Sequence, residues 1–415
     1  MIKKIKIETK PVTGKIDDSF IGIKIKNDTV NIFYPESYNF TDKNDDFKGF
    51  RDDFISIIRT ISIAKTLTSD KAKIESSISN NGFALNSYLW IIKDYLANGF
   101  YVNREKVFKY NQRGRVNWKR TLNNQPIISN GNVIYKDTVV EVRNELDNLL
   151  IEIHKYCVKK SVDLIGWLFG LSLKHIPQKP FNDIIKKRYL ITIRQELDKT
   201  FDDYKKLKLN HMIKVIQGLD GNANDNEFVY GVNSYYYIFE RMIDSIFSNC
   251  DASEFNPSAK WYLKNNKVFN SSKLRPDTIF VKDKIAYILD AKYYRYGTTA
   301  KNEDLPETTS IQKQITYGDF IKQNKLSEDI KEIHNAFILP YNKYNNDLAL
   351  SNKLEYIGYA KTDYRKGEDS HEIVHAFLID LKYVIDTWNK DNHIDEIIQL
   401  VNDIEDEQNR YKKTI

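Results

Sequence analysis

Cysteine is almost missing from this chain. Its 415 residues include only Cys157 and Cys250. Two residues so far apart build neither a disulfide framework nor a zinc knuckle, so no zinc is expected. No uninterrupted apolar run approaches the length of a membrane span. The opening "MIKKIKIETK" has no apolar core long enough for a signal peptide. A cytoplasmic, reducing setting without a membrane partner is therefore expected. The phosphate-cradling G-x-x-x-x-G-K-S/T loop is absent, which excludes nucleotide binding through a P-loop. A G-x-S-x-G elbow, a C-x-x-C pair, internal repeats and low-complexity tracts are absent too.

What remains is ample for folding. Hydrophobic residues make up 41% and charged residues 29%, so a core can form and the surface stays soluble. The length predicts two or three domains. The net charge of +6 permits an anionic partner without requiring one. The 27 tyrosines can serve in cores or as stacking surfaces.

Along the first forty residues, "IKKIKIE" and "SFIGIKIKNDTVNIFYP" alternate like strands, with "ND" as a hairpin turn. From Asp46 to Thr66 the period becomes helical, with Phe47, Phe50, Phe54, Ile57, Ile58 and Ile61 at spacings of three and four. A second helix is expected near Ser87–Ala97. Residues 101–122 carry Arg104, Lys106, Lys109, Arg113, Arg115, Lys119 and Arg120 against one acid, Glu105, with aromatics interleaved. "VIYKDTVVEV" reads as a strand, and helical patterns fill about Arg143–Leu171 and Pro180–Leu219. "DGNANDN" (220–226) is the clearest breaker. It predicts a boundary between 1–222 and 223–415. A helix near Val232–Cys250, a hairpin, a helix over Ile311–Gln323, the strands "NAFILPY" and "EIVHAFLIDL", and an acid-rich terminal helix follow. The expected class is α/β, α+β overall: a mixed β-sheet flanked by helices after residue 223, preceded by an α+β region with a helical connector.

The hairpin "LRPDTIFVKDKIAYILDAKYYRYG" (274–297) places acids among apolar strand residues. Alternation puts Ile288, Asp290 and Lys292 on one face. A short turn at "KDK" brings Asp277 beside Asp290. Two carboxylates hold a hard divalent cation such as Mg²⁺ through oxygen. Such a cation polarises a phosphate and acidifies a bound water. A lysine positions that water and offsets developing negative charge. The Ala291 carbonyl is a further candidate ligand. The bland alternative is a hairpin with a solvated polar face, which the apolar neighbours of Asp290 argue against. Glu240 shares a helical face with Tyr236, Ile243 and Phe247, where an acid is costly unless paired or metal-bound. Asp244 lies one turn on. "SIQKQITYGDF" offers Gln314 after the hairpin.

"HEIVH" (371–375) matches the H-E-x-x-H zinc-protease pattern, whose chemistry needs a helix. The Val, Ile and Phe content here favours a strand, on which His371 and His375 stand about 13 Å apart and share no zinc.

The P-D…D-x-K pattern, Pro276-Asp277 with Asp290-Ala291-Lys292, resembles the PD-(D/E)xK nuclease superfamily. Members often carry a helical Glu before the hairpin, here Glu240, and a Gln-containing helix after it. Their usual Q-x-x-x-Y spacing is not met, because Tyr317 follows Gln314 by three. "GRVNWKRTL" (114–122) resembles the G-R-[IV]-x-x-x-x-T-[IL] segment of McrC-like restriction subunits. "EVRNELDNLLIEIHKYC", "YIFERMI" and "LRPDTIF…ILDAKYY" follow in the same order over about residues 100–390. LlaJI-type restriction systems contain such a subunit.

The resemblance implies a Mg²⁺-dependent endonuclease subunit that cuts double-stranded DNA in phage defence. It also implies an AAA+ GTPase partner, McrB-like, whose hydrolysis the N-terminal half stimulates. Asp277, Asp290 and Glu240 would bind metal, Lys292 would position water, and Gln314 would support them. Arg113, Arg115, Lys119 and Arg120 keep three readings: contact with the DNA backbone, docking on the partner, or a solvated basic loop. Two rivals stand beside this reading. One is a self-sufficient type II enzyme, the other a non-catalytic GTPase-stimulating subunit with a vestigial nuclease site.

Overall fold

The structure is a computed structural model that describes residues 6–15, 17–26, 29–67, 85–101, 104–111, 113–145, 149–171, 173, 181–217, 227–324, 330–390 and 393–413. The breaker "DGNANDN" and the turn residues Asn27 and Asp28 lie outside them.

Three strands open the chain, β1 (Lys6–Val12), β2 (Ile21–Lys26) and β3 (Thr29–Pro35), before helix α1 (Phe47–Leu67). Then come α2 (Leu85–Asn98), β4 (Arg104–Tyr110), β5 (Arg115–Val116), β6 (Ile127–Ser129), β7 (Asn132–Ile134) and β8 (Val139–Glu145). Helices α3 (Leu149–Ile165), α4 (Asp183–Lys199) and α5 (Asp203–Gln217) follow. The rest comprises β9 (Glu227–Val232), α6 (Tyr235–Phe247), β10 (Lys260–Tyr262), β11 (Val268–Asn270), β12 (Thr278–Lys282) and β13 (Ile285–Ala291). It ends with α7 (Thr308–Asn324), β14 (Glu332–Tyr341), β15 (Leu354–Ala360), β16 (Val374–Asp380), α8 (Leu381–Thr387) and α9 (Ile394–Lys412). Among the described residues no helix is long and apolar enough to cross a membrane.

The chain divides into two compact units, Met1–Ser79 with Phe228–Ile415, and Asn80–Glu227. A single cut at 222/223 does not separate them. The first strands belong with the second half, because their sheet runs β1-β3-β2-β9. Strand β9 closes it through glycine on both sides. A Cβ at Gly22 would stand 2.1 Å from the Tyr230 carbonyl oxygen, and one at Gly231 would stand 2.3 Å from that of Ile21. Only glycine permits backbones so close. Helix α1 buries Phe50, Phe54, Ile57, Ile58 and Ile61 as its spacing predicts, whereas Phe47, in its first turn, is exposed.

The second sheet of this unit runs β12-β13-β14-β16-β15. Its three inner strands are parallel and both edges antiparallel. Strand β14 is buried along nearly its whole length, as a central strand covered on two faces must be. Ile279, Ala286 and Ile288 join Tyr317 and Ile321 of α7 in one core cluster. Thr278 points the other way, and its hydroxyl meets Asp244 of α6. The sheet is thus flanked by helices, as expected.

In the other unit, β4, β8 and β5 form one sheet and β6 with β7 a separate hairpin. The expected single strand "VIYKDTVVEV" is broken between β7 and β8, and the helix expected from Arg143 begins only at Leu149. The long pattern after Pro180 is split into α4 and α5 around Thr200–Asp202, none of which is helical.

Candidate active site

Strands β12 and β13 form a hairpin whose two turn residues, Asp283 and Lys284, both have positive φ, 52° and 66°. That is the two-residue turn whose twist matches paired strands. It fixes the register, with Thr278 opposite Leu289. One step further along the same ladder, Asp277 stands across from Asp290. Side chains opposite one another share a face of the sheet.

Asp290 is 2% exposed, in a strand otherwise lined by apolar residues. Lys292, two residues on, forms an ion pair with its Oδ2. The other oxygen, Oδ1, is buried with no hydrogen-bond partner. Asp277 is half-buried, and its Oδ2 accepts the Ala291 N–H at 3.1 Å. Burial pushes the Asp277 carboxyl well above its ordinary range, and the charges of Asp290 and Glu240 push it further. Burial depresses Lys292, but the Asp290 and Asp277 carboxylates outweigh it and hold the ammonium above its usual value. One cation therefore faces a concentration of negative charge it only partly neutralises.

Helix α7 supports the strand from beneath. The buried Gln314 donates through Nε2 to the Ile288 carbonyl at 2.7 Å. Tyr317 is equally buried, and its hydroxyl donates to the Arg275 carbonyl at 2.6 Å. The spacing of three keeps both on one helix face. Gln314 thus holds the strand that carries Asp290, and Tyr317 holds the segment that delivers Asp277. On α6, Glu240 is half-buried and contributes its charge to Asp277. Asp244 accepts from Arg241 at 2.7 Å and from Thr278 at 3.4 Å, which fixes the start of β12. Burial raises the Asp244 carboxyl.

Sequence reasoning missed Phe337. It pairs with Asp290 across β13 and β14, and the Lys292 ammonium lies 5.9 Å from its ring centroid. Nothing local could reveal this, since the strands meet through a long parallel crossover.

Whether a divalent cation fits can be tested on these atoms. Asp290 Oδ1 is an orphaned buried acceptor, Asp277 is destabilised by neighbouring negative charge, and the donors are hard oxygens. Mg²⁺ meets all three conditions. Among the described residues no three His, Cys, Asp or Glu side chains converge on one point. The Asp277–Asp290 pair is therefore the core of the candidate site, and further ligands would come from backbone or water.

The two histidines of "HEIVH" take different partners. His371 sits in a 3-10 turn, not in the expected strand, and its Nε2 lies 3.0 Å from Asp319. His375 lies within β16, with Nδ1 3.2 Å from the Tyr356 hydroxyl and Nε2 3.2 Å from Gln408.

The basic segment belongs to the other unit. Arg113, Arg115 and Lys119 are exposed. Arg115 pairs with Glu141 across β5 and β8. Arg120 stacks its guanidinium over Phe108, 3.7 Å from the ring centroid. Asn117 caps the short helical turn, accepting the Arg120 N–H at 3.1 Å. Thr121 is fully buried, and its Oγ1 accepts the Val139 N–H at 2.9 Å.

An interstrand acid pair with an adjacent lysine agrees with what the family comparison returns, a restriction endonuclease model matching residues 20–384. The chain belongs to the LlaJI restriction endonuclease family. No curated protein matches it. Among solved structures it is similar to a chain of the refined half-complex from a tetradecameric assembly of Thermococcus gammatolerans McrB AAA+ hexamers with bound McrC. That similarity has 14% identity and a TM-score of 0.40, covering 92% of this chain and 83% of that one.

Proposed function

We propose that this chain is the DNA-cutting subunit of a restriction system and that its sheet-and-hairpin core is a PD-(D/E)xK nuclease site. The observation that carries the reading is the Asp277–Asp290 pair with its orphaned oxygen and its lysine. Membership of a restriction endonuclease family supports the substrate, double-stranded DNA, and the reaction, phosphodiester hydrolysis.

Asp277 and Asp290 would hold Mg²⁺, with the Ala291 carbonyl beside them and Glu240 adding negative charge. Bound there, the ion would supply electrophilic activation of the phosphate and a more acidic water. Lys292 is placed to orient that water and to stabilise charge developing on the phosphate oxygens. Its raised pKa keeps it cationic at neutral pH, which suits orientation and electrostatic support. Gln314 and Tyr317 keep the two acids in register. This is positioning through the backbone, which separates them from the groups that touch substrate.

The motif order from "GRVNWKRTL" to "ILDAKYY" supports a second element of the proposal, an AAA+ GTPase partner that this chain joins and stimulates. Arg115 is the residue assigned to that communication. Isothermal titration with Mg²⁺ tests the metal reading. The wild-type chain should bind, and Asp277→Asn and Asp290→Asn should each lose most of the heat. Equal binding by all three would refute it.

A further inference from the structure

Before Asp277 the chain makes an excursion that the acid pair does not need. Residues 258–270 are all exposed, and within them β10 and β11 form an isolated two-stranded hairpin. Such a ribbon has no core of its own and is marginal in water. This one nevertheless presents large aromatics to solvent. Trp261 and Phe269 are direct cross-strand neighbours, 65% and 52% exposed. Lys260, Lys264 and Lys267 surround them, and the sequence has no acid from Phe255 to Pro276 to neutralise these cations.

The hairpin is firmly rooted. The Leu274 N–H donates to the Pro257 carbonyl at 2.9 Å, and Ser271 donates to Ala259 at 2.8 Å. Tyr317 then holds the Arg275 carbonyl at 2.6 Å. The helix that supports the acids through Gln314 thus also anchors the base of the ribbon. Asp277 follows Asn270 by seven positions, a reach of about 24 Å at full extension. That is less than one turn of duplex DNA, about 34 Å.

We propose that the β10–β11 hairpin grips duplex DNA beside the scissile phosphate, its lysines on the backbone and Trp261 with Phe269 against the groove. This rests on the nuclease reading of the acid pair. Clustered cations match a polyanion, and the aromatics between them can pack against the sugars and base edges that line a duplex groove. A two-stranded ribbon is narrow enough to enter a major groove. An apolar protein partner would gain nothing from the lysines.

The test is equilibrium binding of a 30-base-pair duplex to the full chain in EDTA, where no cutting occurs, over a series of salt concentrations. Lys260→Gln/Lys264→Gln/Lys267→Gln should weaken binding and reduce the slope of log K against log salt by about 2.7, at 0.9 per phosphate contact. Trp261→Ala/Phe269→Ala should weaken binding about tenfold with the slope unchanged. Thermal melting of both variants should match the wild type, because every altered side chain is exposed. Unchanged affinity and slope in both variants would overturn the proposal. So would intact DNA binding combined with lost binding to the AAA+ partner. The nuclease reading is tested separately by the Mg²⁺ titration of Asp277→Asn and Asp290→Asn, so its failure is distinguishable from failure of the hairpin reading, which is measured in EDTA.

Discussion

Asp277 and Asp290 lie one step beyond the Thr278–Leu289 end of an antiparallel ladder, and Lys292 forms its ion pair with the second of them. The pair is asymmetric as a result. Asp290 is buried and ion-paired, whereas Asp277 is half-buried, and burial with the charges of Asp290 and Glu240 raises its carboxyl.

That asymmetry makes a stability prediction. Asp277 titrates higher in the folded protein than in the unfolded chain. Its contribution is fully present below the unfolded value, about 4, and is lost as pH rises through the folded one. At pH 7.5 without metal, Asp277→Asn should therefore raise Tm by a few degrees. Mg²⁺ should raise the wild-type Tm and leave that of Asp277→Asn unmoved. Scanning calorimetry with and without Mg²⁺ reads both, and a lower Tm for the metal-free variant would contradict the electrostatic picture.

Gln314 acts through the backbone of β13. Gln314→Leu removes the donor to the Ile288 carbonyl while keeping most of the volume. It should destabilise the protein by about 1–3 kcal/mol and lower the cleavage rate constant more than it weakens DNA binding. Gln314→Glu cannot donate when ionised and should resemble Leu at neutral pH. A cleavage rate unchanged in both variants would remove Gln314 from the support of the site.

Asp319 links α7 to the turn at His371. It bonds Arg365 at 2.8 Å and 3.0 Å and His371 at 3.0 Å. Burial opposes ionisation of Asp319, but the Arg365 and His371 contacts outweigh it and depress its pKa. The linked stability is present above the unfolded value, about 4, and is lost as pH falls through the depressed folded one. Asp319→Asn should lower Tm by a few degrees at pH 7, with the difference from wild type shrinking in acid. A difference independent of pH would assign the effect to packing.

In the other unit the motif "GRVNWKRTL" divides its labour. Thr121→Val leaves the Val139 N–H without an acceptor and should cost about 1–3 kcal/mol. Arg115→Ala should leave Tm within about 1 °C, since surface changes are near neutral, yet reduce GTP hydrolysis by the proposed AAA+ partner at least tenfold. Stimulation equal to wild type would leave Arg115 to DNA contact or to a solvated loop.

Much of the site was legible because it is local. Alternation and one tight turn suffice to bring Asp277 to Asp290, and Gln314 follows on the next helix. Tyr317 sits three residues beyond Gln314, where the resemblance leads one to expect four. A helix places i+3 and i+4 on the same face, so its hydroxyl still reaches Arg275. The first strands join the second half for a reason that no local pattern carries. Strand β9 pairs with β2 across some two hundred residues, and only the matched glycines Gly22 and Gly231 hint at it. The β10–β11 hairpin left little trace because strands of three residues carry too short a pattern. Phe337, brought to Asp290 by a parallel crossover, left no local trace.

The central claim is that Asp277, Asp290 and Lys292 are the centre that cuts DNA. The most direct measurement is cleavage of duplex DNA in Mg²⁺ by the chain assembled with the proposed AAA+ partner, comparing wild type, Asp290→Ala and Lys292→Ala. Both variants should fold, assemble and stimulate the partner's hydrolysis normally, yet lose cleavage by at least a thousandfold, roughly 4 kcal/mol of barrier. Wild-type cutting by either variant would contradict the account.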